Sequence, residues 1–448
     1  MEIPKRCSVR GNVINRTLFL AFGLLLFFSC KKQFDAGDKQ PPPPPSDKTN
    51  IILILADDIG YEVPTCNGGQ SYETPNLDKM ANEGMRFTEC HSTPLCSPSR
   101  FMFLTGKYNF RNYTAWGQMD VSQRTIANML KSAGYATCVA GKWQLDGGDA
   151  SVHAFGFDSY CLWNPYFAGV GGSRYKNPHI YEDGGYWSAA KSEGNYGEDV
   201  FTNYVLNFIE TNQKASKPFF VYYPMCLSHA PFSPTPDDAD YAAWLKGNDP
   251  KYFKSMIKYM DKKIGQIVDK VNELNIANNT VILFTTDNGT PDSIASEYDG
   301  DVILGGKSST TEYGTHVPLL AYAPGLVPHM VNDELIDFTD FLPTAADIAK
   351  ISEPDTYGVL DGTSFYQGLT GHSEHARSWI FCHFDPHPGN DTVERYVQNT
   401  IYKYYEDDRF YDIVADILEE HPIPDSLLSV DEQNVKSQFK DVLGRMHN

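Results

Sequence analysis

Positive charge is scarce in this sequence: 37 Lys and Arg stand against 57 Asp and Glu, a formal net charge of −20. A surface of that sign repels a polyphosphate backbone, so nucleic acid is excluded as the default partner. It gives no general attraction for small anions either, so any anion site must be local, built from a few aimed cations and amides. Zinc-type spacing is missing as well. The chain has nine cysteines but no CxxC pair and no Cys/His zinc pattern. Setting aside Cys7 and Cys30 near the N-terminus leaves Cys66, Cys90, Cys96, Cys138, Cys161, Cys226 and Cys382. An odd set of this kind excludes a disulfide framework; one or two bridges stay open, and at least one thiol needs another fate. Internal repeats are absent, and the apolar run at residues 17 to 28 is too short to span a bilayer.

That run, TLFLAFGLLLFF, follows Lys5, Arg6, Arg10 and Arg16 and precedes Ser29-Cys30. The order basic, apolar, small residue, Cys reads as a signal peptide over 1–29 with lipidation at Cys30, as in bacterial lipoproteins; a plain secretory signal with an incidental Cys is the alternative. Residues 30–47 contain five consecutive prolines, Pro41 to Pro45, which form an extended polyproline spacer. The expectation is a body tethered to a membrane through Cys30, in the periplasm or on the cell surface of a Gram-negative bacterium.

The body reads as α/β. Residues 51 to 56, IILILA, and 280 to 286, TVILFTT, are continuous apolar runs, and each ends in an acidic pair, Asp57-Asp58 and Asp287-Asn288. Continuous runs of this kind are buried parallel strands. Residues 218 to 223 and 136 to 140 read as two more. Helical periodicity precedes the 218 and 280 strands, through Val200 to Ile209 and Phe253 to Val271. Such alternation predicts a large, mostly parallel sheet flanked by helices, with ligands beyond the carboxyl ends of the strands. After about residue 376 short aromatic runs and a charged helical tail predict a small antiparallel-sheet subdomain. The predicted boundaries are 48–375 for the main domain and 376–448 for the subdomain.

The most informative stretch is Cys96-Ser97-Pro98-Ser99-Arg100, running on to Thr105-Gly106. Pro98 suits the first turn of a helix and Ser97 its cap. Cys96 then lies at a helix N-terminus, where amides and the dipole favour an anion. Arg100 falls on the same face, where a guanidinium can hold a sulfate or phosphate group. The bland alternative is a structural Cys beside a capped helix. The acidic pairs offer hard oxygen donors at Asp57, Asp58, Asp287 and Asn288, which suit Ca²⁺ or Mg²⁺ rather than Zn²⁺.

The CxPSR stretch with TG six residues on resembles the signature of the type I, formylglycine-dependent sulfatases of the alkaline phosphatase superfamily. The resemblance implies an alkaline-phosphatase-like sheet and a Cys96 oxidised to formylglycine by a maturation enzyme. It also implies a hydrated aldehyde that attacks sulfur beside a divalent cation, so residue 96 counts with the four oxygen donors as part of the metal centre. Gly141-Lys142-Trp143 resembles the family's GKWHLG element, Ser228-His229-Ala230-Pro231 its His-x-Pro element and Gly305-Gly306-Lys307 its GGK element. The implied roles are sulfate contact for Lys142, general acid for His229 and sulfate and bridging-oxygen binding for Lys307. Gln144 and Asp146 depart from that pattern, which has His and Gly. Gln can hydrogen-bond but cannot take a proton at neutral pH.

For the substrate, Trp163, Arg174 and His179 lie in a segment rich in Tyr, Trp, Gly and Asn, and His383 and His387 in a second candidate wall. With Gln144 these are the candidate substrate-binding residues. A tethered member of the family is expected to act on sulfated glycans outside the cytoplasm, glycosaminoglycans among them. Phosphonate monoester or phosphodiester hydrolysis and a catalytically silent glycan binder are the alternative readings.

Overall fold

The computed structural model describes residues 47–166, 172–352, 358–372, 377–389 and 393–447. The signal segment, Cys30 and the proline run lie outside the described residues.

The apolar run at the start of the body is the central strand. Asn50–Ala56 pairs in parallel with Thr280–Thr286 on one side and Phe219–Pro224 on the other. Beyond Phe219–Pro224 come Ala136–Lys142 and Ser159–Trp163, again parallel, and then two short antiparallel edge strands, Ile180–Glu182 and Gly185–Tyr186. The other flank is mixed. His316–Tyr322 runs antiparallel to Thr280–Thr286, Met85–His91 antiparallel to that, and Met330–Asp337 closes the edge parallel to Met85–His91. The result is the expected large mixed sheet, ten strands wide.

Both faces are covered because the central strands are apolar at every position. Side chains alternate across a strand. Ile51, Leu53 and Leu55 pack on one face with Phe101, Phe103 and Leu342 from the helices Cys96–Thr105 and Phe341–Ile348. Ile52, Ile54 and Ala56 pack on the other with Val205, Ile264 and Ile267 from Gly197–Lys214 and Phe253–Glu273. Each fully buried aliphatic side chain contributes about 1.5–3 kcal/mol, so this sandwich fixes the strand ends firmly.

The C-terminal segment forms the expected antiparallel sheet, Ile380–Phe384, Glu394–Gln398, Tyr402–Tyr405 and Phe410–Asp412, followed by the helix Val430–Arg445. It docks beside the site: Lys403 Nζ donates to the Thr310 carbonyl at 2.7 Å, and Gln398 Nε2 to Glu312 Oε1 at 3.0 Å. None of the seven cysteines of the body is paired in a disulfide, and six of them are buried. The bridges left open by the odd cysteine set are therefore not formed among the described residues.

Candidate active site and metal centre

Parallel register brings the two acidic pairs together. Ala56 is the register partner of Thr286, and the Asp287 N–H donates to the Ala56 carbonyl at 3.2 Å. Asp57 and Asp287 therefore leave adjacent strands side by side. The Asp58 N–H donates to Asp287 Oδ1 at 3.2 Å, and Asn288 Nδ2 to Asp58 Oδ1 at 2.9 Å. Asn288 Nδ2 also donates to the Gly289 carbonyl. These bonds fix the amide's orientation and leave its buried Oδ1 without a partner.

Four cations converge on these acids. Lys142, at the end of its strand, donates to both oxygens of Asp57 at 2.9 and 2.7 Å. Arg100, one turn beyond Cys96, donates to Asp287 Oδ2 through Nε at 3.1 Å and Nη2 at 2.6 Å. Lys307 Nζ lies 2.6 Å from Asp58 Oδ2. Arg174 Nη1 lies 3.9 Å from Asp57 Oδ2, and its guanidinium sits 4.0 Å above the Trp163 ring. The Lys307 loop is tied to the approach to Cys96, since the Ser308 N–H donates to the Pro94 carbonyl at 3.0 Å.

The charges set the titration of the acids. Burial pushes the Asp57 carboxyl up, but Lys142, His229, Arg100 and Lys307 outweigh it and hold it well below the usual carboxylate range. Asp58 is likewise lowered, against burial, by His229 and Lys307. At Asp287, burial and the charge of Asp57 prevail over Arg100 and Lys142 and push the carboxyl up to about 7. Three acids share one sealed space, and the third ionises at a cost. A divalent cation relieves that crowding. The oxygen donors of Asp57, Asp58 and Asp287 with the orphaned Asn288 Oδ1 fit Ca²⁺ or Mg²⁺, and a ring nitrogen of His229 also lies within 4.8 Å of the Asp57 and Asp58 oxygens.

Three sequence expectations change in detail. Ser97 does not cap its helix: Leu95 occupies that position without a side-chain bond, and Ser97 Oγ is buried and unpartnered in the first turn. Its hydroxyl is carried inside the turn because the helix starts two residues earlier than a Ser97 cap implies, at Cys96. Arg100 does not reach into an open anion pocket; it is sealed from solvent and committed to Asp287. Lys142 is equally sealed, against Asp57. The groups left accessible to an incoming anion are Lys307, Arg174 and His229, whose side chains are 19%, 13% and 24% exposed.

His229 follows Phe219–Pro224. Its loop is pinned to the central strand, with the Asp57 N–H donating to Leu227 and the Ser228 N–H to the Asp57 carbonyl. His229 Nδ1 lies 2.6 Å from the Ala230 carbonyl, which places the proton on Nδ1. Nε2 then faces Asp58 Oδ2, 3.7 Å away. Burial, opposed by Asp58 and Asp57, brings the ring's pKa down to about 4. At rest the expected general acid is therefore neutral.

Gln144 follows Lys142 in a left-handed conformation (φ 53°), with its buried Oε1 unpartnered. Asp58 (φ 62°) and Ser308 (φ 70°) share this backbone region, in which side-chain-bearing residues cost about 1–3 kcal/mol each. The other substrate candidates sit further out. His179 stacks on Tyr186 at 4.4 Å. His383 packs on Phe110, and His387 on Trp116 at 5.6 Å. Two residues support the His229 loop in roles that the sequence did not reveal. The Tyr175 hydroxyl donates to the Cys226 carbonyl at 2.8 Å and also to that of His229. Glu198, buried at a helix start, accepts from the Tyr223 hydroxyl at 2.7 Å and the Cys226 N–H at 3.3 Å. Tyr175 lies in the aromatic segment flagged for sugars; nothing in the sequence singles out Glu198.

Comparison with known proteins identifies the family. The sulfatase family model matches residues 49–351. The chain is 31% identical to N-acetylgalactosamine-6-sulfatase of Canis lupus familiaris, over 78% of this chain and 70% of the relative. It is 32% identical to arylsulfatase G of Mus musculus, over 78% and 73%. A solved structure of Ps i-CgsB in complex with k-i-k-neocarrahexaose superposes with a TM-score of 0.75 at 22% identity, covering 89% of this chain and 92% of the other. The chain belongs to the sulfatase family, in its formylglycine type within the alkaline phosphatase superfamily, and is a sulfuric ester hydrolase.

Proposed function

We propose that this sulfatase releases sulfate from a sulfated carbohydrate, with residue 96 matured from Cys to formylglycine and a Ca²⁺ or Mg²⁺ ion held by Asp57, Asp58, Asp287 and Asn288. The carrying observation is the convergence of those four residues with Arg100, which ties the helix that begins at Cys96 to the acid cluster through Asp287. When bound, the cation supplies Lewis-acid stabilisation of oxygen charge and lowers the pKa of a nearby hydroxyl. A carbohydrate substrate is supported by the relative whose name specifies a sulfated amino sugar, and by the Trp163–Arg174 stack beside the acids.

The chain's own groups divide the work. Lys307 and Arg174 bind the sulfate oxygens from the accessible side. Lys142 and Arg100 hold Asp57 and Asp287 in place and offset their charge. His229 Nε2, bare in the resting tautomer, takes up a proton when the substrate's negative charge arrives, and delivers it to the leaving sugar oxygen. The helix start at residue 96 has its first amides free of any side-chain cap, and these support oxyanion charge beside the nucleophile. We propose further that the chain is exported and anchored at Cys30.

The test is mass spectrometry of the peptide containing residue 96 from the native host, together with sulfate release from sulfated sugars assayed beside aryl phosphonates. Formylglycine or its hydrate, and a preference for sulfate, are expected. An unmodified thiol in active protein, or faster phosphonate cleavage, would overturn the reading. Because Gln144 stands where the family motif has His, a silent glycan binder is the competing reading, recognised by tight binding of a sulfated glycan with no sulfate release.

A further inference from the structure

The molecule carries a second cluster of ligand-type side chains, separate from the acid pairs. Met85–His91 and His316–Tyr322 are antiparallel neighbours, with His91 directly opposite His316. Glu89 lies two residues before His91, so the pleat presents both on one face. The ligand atoms of Glu89, His91 and His316 all lie within 4.8 Å of one another.

Two observations point to a ligand there. Both ring nitrogens of His91 are buried without a hydrogen-bond partner, and the residue is only 2% exposed. Leaving such a polar group unsatisfied costs about 1–3 kcal/mol. His316 Nε2 lies 2.7 Å from the Thr88 carbonyl, so Nε2 carries the proton and Nδ1 keeps a bare lone pair. A metal-bound imidazole is arranged in this way, with its remote N–H fixed by an oxygen.

We propose that Glu89, His91 and His316 form a second metal site, for a first-row divalent transition metal of the zinc class. Two imidazoles and one carboxylate suit that class and discriminate against the hard cation expected at the oxygen-rich site. His91 Nε2 faces Glu89 Oε2 at 3.8 Å, while Nδ1 faces Glu312 Oε2 at 4.0 Å. One nitrogen is therefore left for the metal, while the other faces a carboxylate across 4.0 Å. Glu312 is itself held by Gln398 at 3.0 Å and Lys403 at 3.4 Å. Tyr61 covers the His316 ring at 4.1 Å, and the partly exposed Glu89 provides the route of entry. Ser92 follows at once and donates its N–H to the Thr315 carbonyl at 2.8 Å. An ion here would pin the strand that leads to Cys96 against its neighbour.

The experiment uses tag-free full chain, stripped with chelator and titrated with Zn²⁺ alone at neutral pH. Zinc per chain is read by elemental analysis, and the ligand field by Co²⁺ substitution. One tightly held zinc is expected in the unaltered chain and in Asp57→Asn, which impairs the oxygen site. Affinity is expected to fall about 100-fold in His316→Gln, which retains a donor for the Thr88 carbonyl, and in Glu89→Gln, a partly exposed change that leaves folding intact. No zinc bound by the unaltered chain, unchanged affinity in folded Glu89→Gln, or loss confined to Asp57→Asn would each overturn the proposal.

Discussion

Arg100 gives two hydrogen bonds to a single oxygen of Asp287, at 3.1 and 2.6 Å, and both side chains are closed to solvent. Breaking a buried pair leaves one charge stranded, at about 3–5 kcal/mol. Arg100→Met is therefore expected to lower unfolding free energy by about that amount, and Arg100→Met/Asp287→Asn to recover part of it. Urea denaturation of the three proteins checks this. A single-variant loss under about 1 kcal/mol would show that Asp287 finds other support.

The loop bearing His229 rests on Glu198, whose pKa burial pushes up to about 7. Glu198→Gln keeps an acceptor for Tyr223 but presents an amide to the Cys226 N–H. A misplaced His229 is expected to lower kcat about tenfold while KM changes less than twofold. A change in KM alone would instead make Glu198 part of the substrate's binding surroundings.

Gln144→His restores a titratable ring at the departure from the family pattern. His tolerates the left-handed backbone there better than most residues, so the fold is expected to persist. An added proton-transfer group raises sulfate release by about 10²-fold if the step it serves is limiting. Single-turnover release from an aryl sulfate measures this. No gain would mean that proton transfer is already supplied by His229.

Stability is expected to fall in acid partly through His383. An unfolded histidine titrates near 6.5, whereas burial, with Arg395 adding to it, brings this ring down to about 4. Between those values the unfolded chain binds the extra proton, so lowering the pH favours unfolding. The stabilisation is full above about 6.5 and is lost as pH falls towards 4. His383→Gln is expected to flatten that part of the profile, read as urea midpoints at stepped pH; an unchanged slope would assign it elsewhere.

Trp163 holds the Arg174 guanidinium over its ring at 4.0 Å. Removing a cation–π contact of about 0.5–2 kcal/mol frees the guanidinium. Trp163→Leu is expected to raise KM several-fold with little change in kcat. A fall in kcat alone would place Trp163 in support of the strand end rather than of the substrate.

The fold was readable wherever burial forces a pattern. Continuous apolar runs can survive only between two helical layers, and the 50–56 and 280–286 strands are where the runs are. The acid pairs were readable for the same reason, because strand ends in such sheets face the ligand. What the sequence did not disclose is how the charges pair. Nothing in CxPSR says that the arginine turns inward to Asp287, since that depends on a residue far along the chain. The antiparallel flank was equally hidden. His316–Tyr322 runs antiparallel to its neighbour yet is buried almost throughout, so here the continuous run that elsewhere marks a parallel strand does not report direction. Glu198 and the His91–His316 cluster were invisible because their partners meet only through strand register and loop closure.

The left-handed conformations of Asp58, Gln144 and Ser308 set evolution and engineering at odds. Glycine avoids the left-handed cost of about 1–2 kcal/mol per residue, so a selection for heat resistance alone will drift towards Gln144→Gly and Ser308→Gly. At position 58 the same relaxation would discard a carboxylate. The backbone around the acids is thus where a more robust protein and a working one part company, and libraries built for durability should leave these three codons untouched.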